Sequence, residues 1–414
     1  GWDAARPAVF LETAGSLRQR QTAGREAGVS QETTDNRSAN ELFSVTDDGL
    51  YYTPDNGDCF RVSDKLEVPA LARDEESNSW SPVILFKDMD GCQRKEIIPR
   101  RLFLGDGMDG PKQLADLGLY IEPYSAALNR LKLYVAGQRP KRRARLVSAT
   151  GWHEGAYLFP EVSIGKTIED LVYRGSKRAL NTFNTRGSLK QWQEQIARHA
   201  NNNWRLMFTL SAALAGPLLH QLGAASFAIH WTGDSSIGKS GALAAAGSVW
   251  GNPHGVVHSW RSTDNSLEYV AAQHNDGLLI LDELKEVDPK QAGTIAYMLS
   301  NAKGKNRAHH AGGLREAITW RIVMLSSGEL GLADHMASTG QKAHAGQAVR
   351  FIELPANAGA GYGMWNDPGE LGSGRGFTDH LKQATSKYHG TAARAFIQAL
   401  IDNLPDALEK SDQI

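Results

Sequence analysis

Apolar and polar positions along this chain fall into distinct regimes. Residues 1–40 carry Gln, Arg, Thr, Ser and Asn with little apolar period, which predicts a linker or loosely packed arm. From Glu41 to about Gly165 short β-type runs dominate, such as Gly49-Leu-Tyr-Tyr-Thr, Ser81-Pro-Val-Ile-Leu-Phe and Ala144-Arg-Leu-Val-Ser-Ala. Turn signals at Asp55-Asn-Gly-Asp and Met89-Asp-Gly separate them, and one helix is predicted near Ser125 to Ala136. Residues 188–222 read as helical: Ser188 fits an N-cap, and Trp192, Ile196, Leu206, Leu210 and Leu214 recur at helical spacing. Strands at 224–231, 255–260, 277–282 and 319–326 then alternate with helices at 239–249, 264–274 and 289–302, the pattern of a parallel α/β sheet. A glycine-rich loop (Gly359, Gly361, Gly363, Gly369, Gly372, Gly374, Gly376) precedes a final helical region at 377–408. The predicted organisation is an arm at 1–40, an N-terminal α+β, β-rich domain at 41–187, an α/β core at 188–358, and a glycine-rich loop with a helical segment at 359–414.

Composition narrows the function classes. A length of 414 residues predicts two or three domains. With 45 basic and 46 acidic residues the chain is no globally basic nucleic-acid binder, so any such surface must be a local patch. Cys59 and Cys92 are the only cysteines, which excludes a disulfide scaffold or a cysteine-rich zinc module and fits a reducing cytoplasm. No apolar run approaches a membrane span, so no membrane partner is expected. The chain opens on Gly1 with nothing like a signal peptide, and reads as a fragment of something longer or a processed product.

One motif carries specific chemistry. Gly233-Asp234-Ser235-Ser236-Ile237-Gly238-Lys239-Ser240, followed by Gly241, is a full phosphate-binding loop between a predicted strand and a predicted helix. Its glycines let backbone amides wrap a phosphate, and the helix N-terminus adds partial positive charge there. Lys239 is expected to reach the β- and γ-phosphates of ATP, and the Ser240 hydroxyl to ligate Mg2+. The strand Gly277-Leu-Leu-Ile-Leu-Asp282-Glu283 would deliver two carboxylates at the same sheet edge. Asp282 is then the metal residue and Glu283 the base that polarises the attacking water.

A third strand, Trp320-Arg-Ile-Val-Met-Leu, runs into Ser326 and Ser327. Either serine would touch the γ-phosphate or the water; the bland alternative is a serine-rich turn. Arg350, after a small-residue loop, is a candidate for completing a neighbouring subunit's site, against a surface arginine flanking a strand. Lys303, Lys305, Arg307, His309 and His310 form a basic stretch around glycines, suited to phosphate contacts without base reading, or simply solvated. Lys141-Arg142-Arg143-Ala144-Arg145 is a second basic run, more simply read as a solvated face. Thr263, Asn265 and Glu268 are candidates to support the site indirectly.

In this order the pieces resemble AAA+ ATPases, especially the helicase branch with a hairpin before the third motif. More closely the chain resembles the domain-of-unknown-function family 927, found in replication proteins of phages, plasmids and genomic islands. The matching text includes Ser79-Trp80-Ser-Pro-Val-Ile, Asp88-Met-Asp-Gly91, Gly151-Trp152-His153, Thr185-Arg186-Gly187-Ser188 and Ala215-Gly216-Pro217-Leu218-Leu219. It continues through the phosphate loop, Ser248-Val-Trp250-Gly251, Ser259-Trp260-Arg-Ser-Thr263-Asp-Asn265-Ser-Leu267-Glu268, Leu281-Asp282-Glu283, Gly304-Lys305-Asn-Arg307 and Ser326-Ser-Gly-Glu329. The resemblance implies an AAA+ P-loop core and a hexameric ATP- and Mg2+-dependent helicase or translocase of a mobile element. Single-stranded or forked DNA would run through its pore, and primase or other replication proteins are possible partners. In that branch the segment at 303–315 carries the pore-facing DNA contact. The alternative is an AAA+ ATPase acting as an initiator, protein remodeller or defence switch without unwinding. A GTPase lacks support, because no Asn-Lys-x-Asp base-reading motif is present.

Overall fold

The computed structural model describes residues 41–55, 57–175, 177–262, 264–304, 307–308, 314–315, 317–341 and 350–403. Two compact units make up the chain. One runs up to Leu146 and takes in Glu169–Val172; the other comprises Val147–Ile168 and the chain from Tyr173 onward.

In the first unit β1 (Phe43–Val45), β2 (Leu50–Tyr52) and β3 (Phe60–Ser63) form an antiparallel sheet. The strands β4 (Leu66–Arg73), β5 (Ser81–Lys87) and β6 (Gln93–Ile97) pair antiparallel. The hairpin between β5 and β6 is set by Asp88, whose carboxylate accepts the amides of Asp90 at 3.1 Å and Cys92 at 2.8 Å. Helices α1 (Asp109–Asp116) and α2 (Ala127–Gly137) follow, and β7 (Arg143–Val147) returns parallel to β4. Leu66, Ile84, Phe86, Ile98, Phe103, Leu114 and Leu131 close the core of this unit. This unit carries two helices, α1 and α2, where the apolar pattern suggested one, and it ends at Leu146 apart from Glu169–Val172, short of the boundary expected at 187.

The second unit begins with a small antiparallel sheet of β8 (Gly151–His153), β9 (Ala156–Leu158) and β10 (Ser163–Gly165). Next, β11 (Asp170–Tyr173) joins the first unit's sheet, which has the order β11-β7-β4-β5-β6. Trp152 fixes the small sheet: its indole N–H donates to Pro217 O at 2.9 Å and its amide to Asp276 Oδ2 at 3.0 Å. The predicted helix at 188–222 is three pieces. These are α4 (Leu189–Gln195), a 3₁₀ stretch (Ala197–Asn202) and α5 (Trp204–Gln221), with the short α3 (Lys177–Thr182) upstream. Ser188 does cap α4: its Oγ accepts the Gln191 amide at 3.2 Å while the Gln191 side chain accepts the Ser188 amide at 2.9 Å.

The predicted alternation then appears, with element ends displaced by up to three residues. In order come β12 (Phe227–Thr232), α6 (Lys239–Trp250), α7 (Pro253–Val256), β13 (Val257–Ser259), α8 (Asp264–Gln273), β14 (Gly277–Asp282) and α9 (Pro289–Ser300). A two-stranded hairpin, β15 (Arg307–Ala308) and β16 (Leu314–Arg315), precedes β17 (Ile322–Gly328), α10 (Leu332–Ala337) and β18 (Phe351–Pro355). The glycine-rich segment leads to α11 (Gly374–Lys387) and α12 (Thr391–Asp402), split at Gly390.

The parallel sheet has the order β13-β14-β17-β12-β18. Its central strands are buried on both faces, which is why they read as unbroken apolar runs. Successive side chains alternate between faces. Ile229, Trp231, Leu278, Ile280, Val323 and Leu325 join the cluster that contains α6 residues such as Leu243 and Val249. Ala228, Leu279, Leu281, Ile322 and Met324 join the opposite cluster, with Leu299 of α9 and Met336 of α10.

Candidate functional site

The chain leaves β12 at Thr232 and turns over the strand's tip through Gly233–Gly238 into α6. At Gly233 and Gly238 φ is 147° and 113°, both unfavourable for a side chain. Space also demands glycine at 238, where a Cβ would stand 2.9 Å from Trp365 Nε1. Lys239 folds back over the loop: its Nζ donates to Gly233 O at 2.5 Å and Asp234 O at 2.7 Å. Burial pulls the Lys239 ammonium below the usual lysine range, opposed by the nearby carboxylates of Glu283, Glu329, Asp282 and Asp234. Ser240 opens to solvent at the first turn of α6.

Parity along the strands sorts the remaining candidates. Asp282 follows Leu278 and Ile280, and Ser327 follows Val323 and Leu325, so both face the α6 side. The Ser327 hydroxyl donates to Asp282 Oδ1, and the Glu283 amide approaches Ser327 Oγ at 3.5 Å. Ser326 points the other way and is fully buried. It accepts the Trp260 indole N–H at 2.8 Å and donates to His230 Nδ1 at 2.9 Å, while His230 Nε2–H donates to Leu330 O at 3.0 Å. Burial holds His230 down to about 4, so it is neutral and this tautomer completes the network. Of the two candidate serines, the structure therefore brings Ser327 to the acidic pair and gives Ser326 to the core.

Glu283 occupies the left-handed region, with φ 64° and ψ 72°, at the first position beyond β14. Its Oε1 takes no hydrogen bond, and Lys285 Nζ lies 3.6 Å away. Arg350, at the entry to β18, holds Asn301 Oδ1 at the end of α9 in its own chain. Lys303 is exposed at the base of the β15–β16 hairpin. Arg307 lies on β15, while Lys305, His309 and His310 fall outside the described residues, as does Thr263. Glu268 is buried beside Gly304, where a Cβ would stand 3.0 Å from its Oε2. The basic run at 141–145 is engaged locally: Arg142 pairs with Asp170 at 2.5 Å, Arg145 lies 3.9 Å from Glu169, and Arg143 packs on Trp80.

The apolar pattern missed a brace behind the loop. The Met364 amide donates to Ile237 O at 2.8 Å, and Trp365, fully buried, packs on Gly238 and donates to Thr378 Oγ1 at 2.9 Å. From the other side Arg205 donates to Pro355 O at 3.1 Å and Asn357 O at 2.6 Å, holding the start of the glycine-rich segment. A tryptophan inside a glycine run was the signal available in the sequence.

Chemically, the site offers a backbone cradle for an anion at a helix N-terminus, one ammonium, two adjacent carboxylates and a hydroxyl. Among the described residues no group of three or more His, Cys, Asp or Glu could hold a metal ion, and no helix is long and apolar enough to cross a membrane.

Comparison with known proteins adds a family and a fold. The family model described as "Domain of unknown function (DUF927)" matches residues 43–319. No curated protein matches the chain. The solved structure "SCCmec type IV Cch - active helicase" is similar at a TM-score of 0.67 and 18% identity, over 89% of this chain and 66% of that one. The chain thus spans just under two thirds of that protein, and the likeness is one of mixed α/β fold. "The A form apo structure of NrS-1 C terminal region-CTR" matches at a TM-score of 0.34 and 10% identity, over 80% of this chain and 68% of that one. NtrX from Brucella abortus in complex with ADP matches at 0.26 and 16%, over 49% and 47%. Neither of these two resemblances bears on the fold.

Proposed function

The chain belongs to the DUF927 family, and from that premise we propose that it is an ATP-driven DNA helicase or translocase with an AAA+ core, working in the cytoplasm as a ring. The observation that carries the reading is the meeting of the Gly233–Ser240 cradle with Asp282, Glu283 and Ser327 at one sheet edge. The sheet order supports it, since β17 separates the loop strand from the acidic strand. In this reading Lys239 exchanges its two loop carbonyls for phosphate oxygens, and the loop amides hold the remaining oxygens. Ser240 and Asp282 are two hard oxygen donors at the cradle, a set that suits Mg2+ shared with the nucleotide's phosphates. Bound there, Mg2+ would neutralise charge on the phosphates. Glu283 orients the attacking water and accepts its proton. Ser327 keeps Asp282 in place.

The β15–β16 hairpin supports the DNA assignment, because a hairpin between α9 and β17 is where a pore contact is implied. Lys303, Lys305, Arg307, His309 and His310 are the proposed DNA residues. Arg350 would leave Asn301 to complete a neighbouring subunit's site in a hexamer. We assign the ATPase core to the second unit, which contains the expected 188–358 stretch, the first unit, the larger part of 41–187, to a collar that guides DNA, and the setting to a mobile element's replication. ATP hydrolysis with and without single-stranded DNA, and strand displacement on 5′- and 3′-tailed duplexes with Glu283→Gln as control, test the reading. Hydrolysis indifferent to DNA with no displacement would refute it.

A further inference from the structure

Glu283 is held in a costly backbone conformation, and an ammonium group lies close to its carboxylate from the turn that follows. Lys285 sits in the 3₁₀ turn Leu284–Glu286. Its Nζ stands 3.6 Å from Glu283 Oε1 and 3.3 Å from Glu329 Oε1, beyond the end of β17. One ammonium thus spans the tips of two neighbouring strands. The turn carrying Glu329 is itself tied down on both sides. His230 Nε2–H holds Leu330 O at 3.0 Å, and Glu353 Oε1 accepts the Leu332 amide at 2.7 Å. The backbone beside Glu329 is therefore held, whereas Glu283 Oε1 has no hydrogen bond of its own.

We propose that Lys285, fastened by Glu329, is a positioning residue that aims Glu283 at the phosphate loop. This rests on the hydrolytic reading above. The pair is too exposed to matter for stability: Lys285 is 55% and Glu329 42% exposed, and such ion pairs contribute little to folding. A near-attack geometry is more demanding, because a small misplacement of the base slows turnover without weakening binding.

The test compares Lys285→Met, Lys285→Arg, Glu329→Gln and the double variant Lys285→Met/Glu329→Gln, measuring kcat, KM, affinity for a fluorescent ATP analogue, and melting temperature. The expected result is a kcat lowered about tenfold in Lys285→Met, with analogue affinity and melting little changed. Lys285→Arg recovers most of the rate, Glu329→Gln loses less than Lys285→Met, and the double variant is no slower than Lys285→Met alone, because Glu329 acts through the lysine. A normal kcat in Lys285→Met, failure of arginine to rescue, or multiplicative losses in the double variant would overturn the proposal. If Glu283→Gln itself turns over normally, the hydrolytic role of Glu283 falls and the positioning role with it. A slow Glu283→Gln beside a normal Lys285→Met removes only the positioning role.

Discussion

Neighbouring serines on β17 should respond oppositely to the same substitution. Ser326→Ala removes the acceptor of the Trp260 indole N–H and the donor to His230 Nδ1, both fully buried. A buried donor left without a partner costs about 1–3 kcal/mol, and the lost bond to histidine adds about 1 kcal/mol. A loss of about 2–4 kcal/mol follows, or roughly 4–16 °C in melting temperature for a unit of this size. Turnover by the molecules that remain folded should change less than about threefold, since nothing on the loop side moves. Ser327→Ala instead breaks the hydroxyl's bond to Asp282, which lies at a half-exposed strand end. Its stability cost should be near 1 kcal/mol, while kcat falls by about tenfold or more. Thermal melting alongside steady-state ATP hydrolysis, normalised to folded protein, separates the two. A stable but slow Ser326→Ala, or a fast Ser327→Ala, would refute the parity argument.

Other consequences are as open to measurement. Gly238→Ala places a Cβ 2.9 Å from Trp365 Nε1 at a φ of 113°, so nucleotide affinity should fall by about tenfold or more; unchanged titration with an ATP analogue would contradict this. Burial holds His230 to about 4 and His274 to about 3 in the folded chain, below an unfolded value near 6.5. Because the folded state resists protonation, stability should be full above about pH 7 and decline as pH falls through 6.5 toward 4. His230→Gln, or His274→Gln, should flatten that decline in denaturant titrations at pH 7 and 5, and an equally steep loss would discredit the assignment. Lys303→Ala with Arg307→Ala should weaken single-strand binding and reduce its salt dependence while leaving ATP affinity alone; an equal loss of both would point to misfolding instead. Mixing Arg350→Ala with Lys239→Ala subunits should restore part of the ATPase activity if Arg350 acts on its neighbour, and no recovery from an intact assembly would argue against it.

Local pattern made most of the α/β core legible. β14 and the acidic pair follow from the seven residues Gly277 to Glu283, whose run, length and polar end admit little else. The choice between Ser326 and Ser327 was not legible, because period two fixes only that they face opposite sides. Which side holds α6 is settled by the packing of Leu243 and Val249 against Ile280 and Leu325. Trp365 was hidden for another reason. Its partner Gly238 is distant in sequence, and the glycines around it give no period to read. The helix expected at 188–222 was broken because apolar spacing persists through Ile196 and Leu206, while the backbone at Ile196 and Asn203 departs from helical angles.

The place of β17 in the sheet bears on how this protein can be cut. The family match ends at residue 319, before β17 begins. A fragment trimmed to that boundary would keep β12 and β14 yet lose the strand that joins them, the edge strand β18 and the tryptophan behind the loop. Such a fragment would expose three bare strand edges, one on β14 and both on β12, where a continuous sheet belongs, and it should aggregate before it could bind a nucleotide. The smallest autonomous piece of this chain is therefore longer than its most recognisable stretch, and should run at least through Lys387, where α11 finishes covering α6.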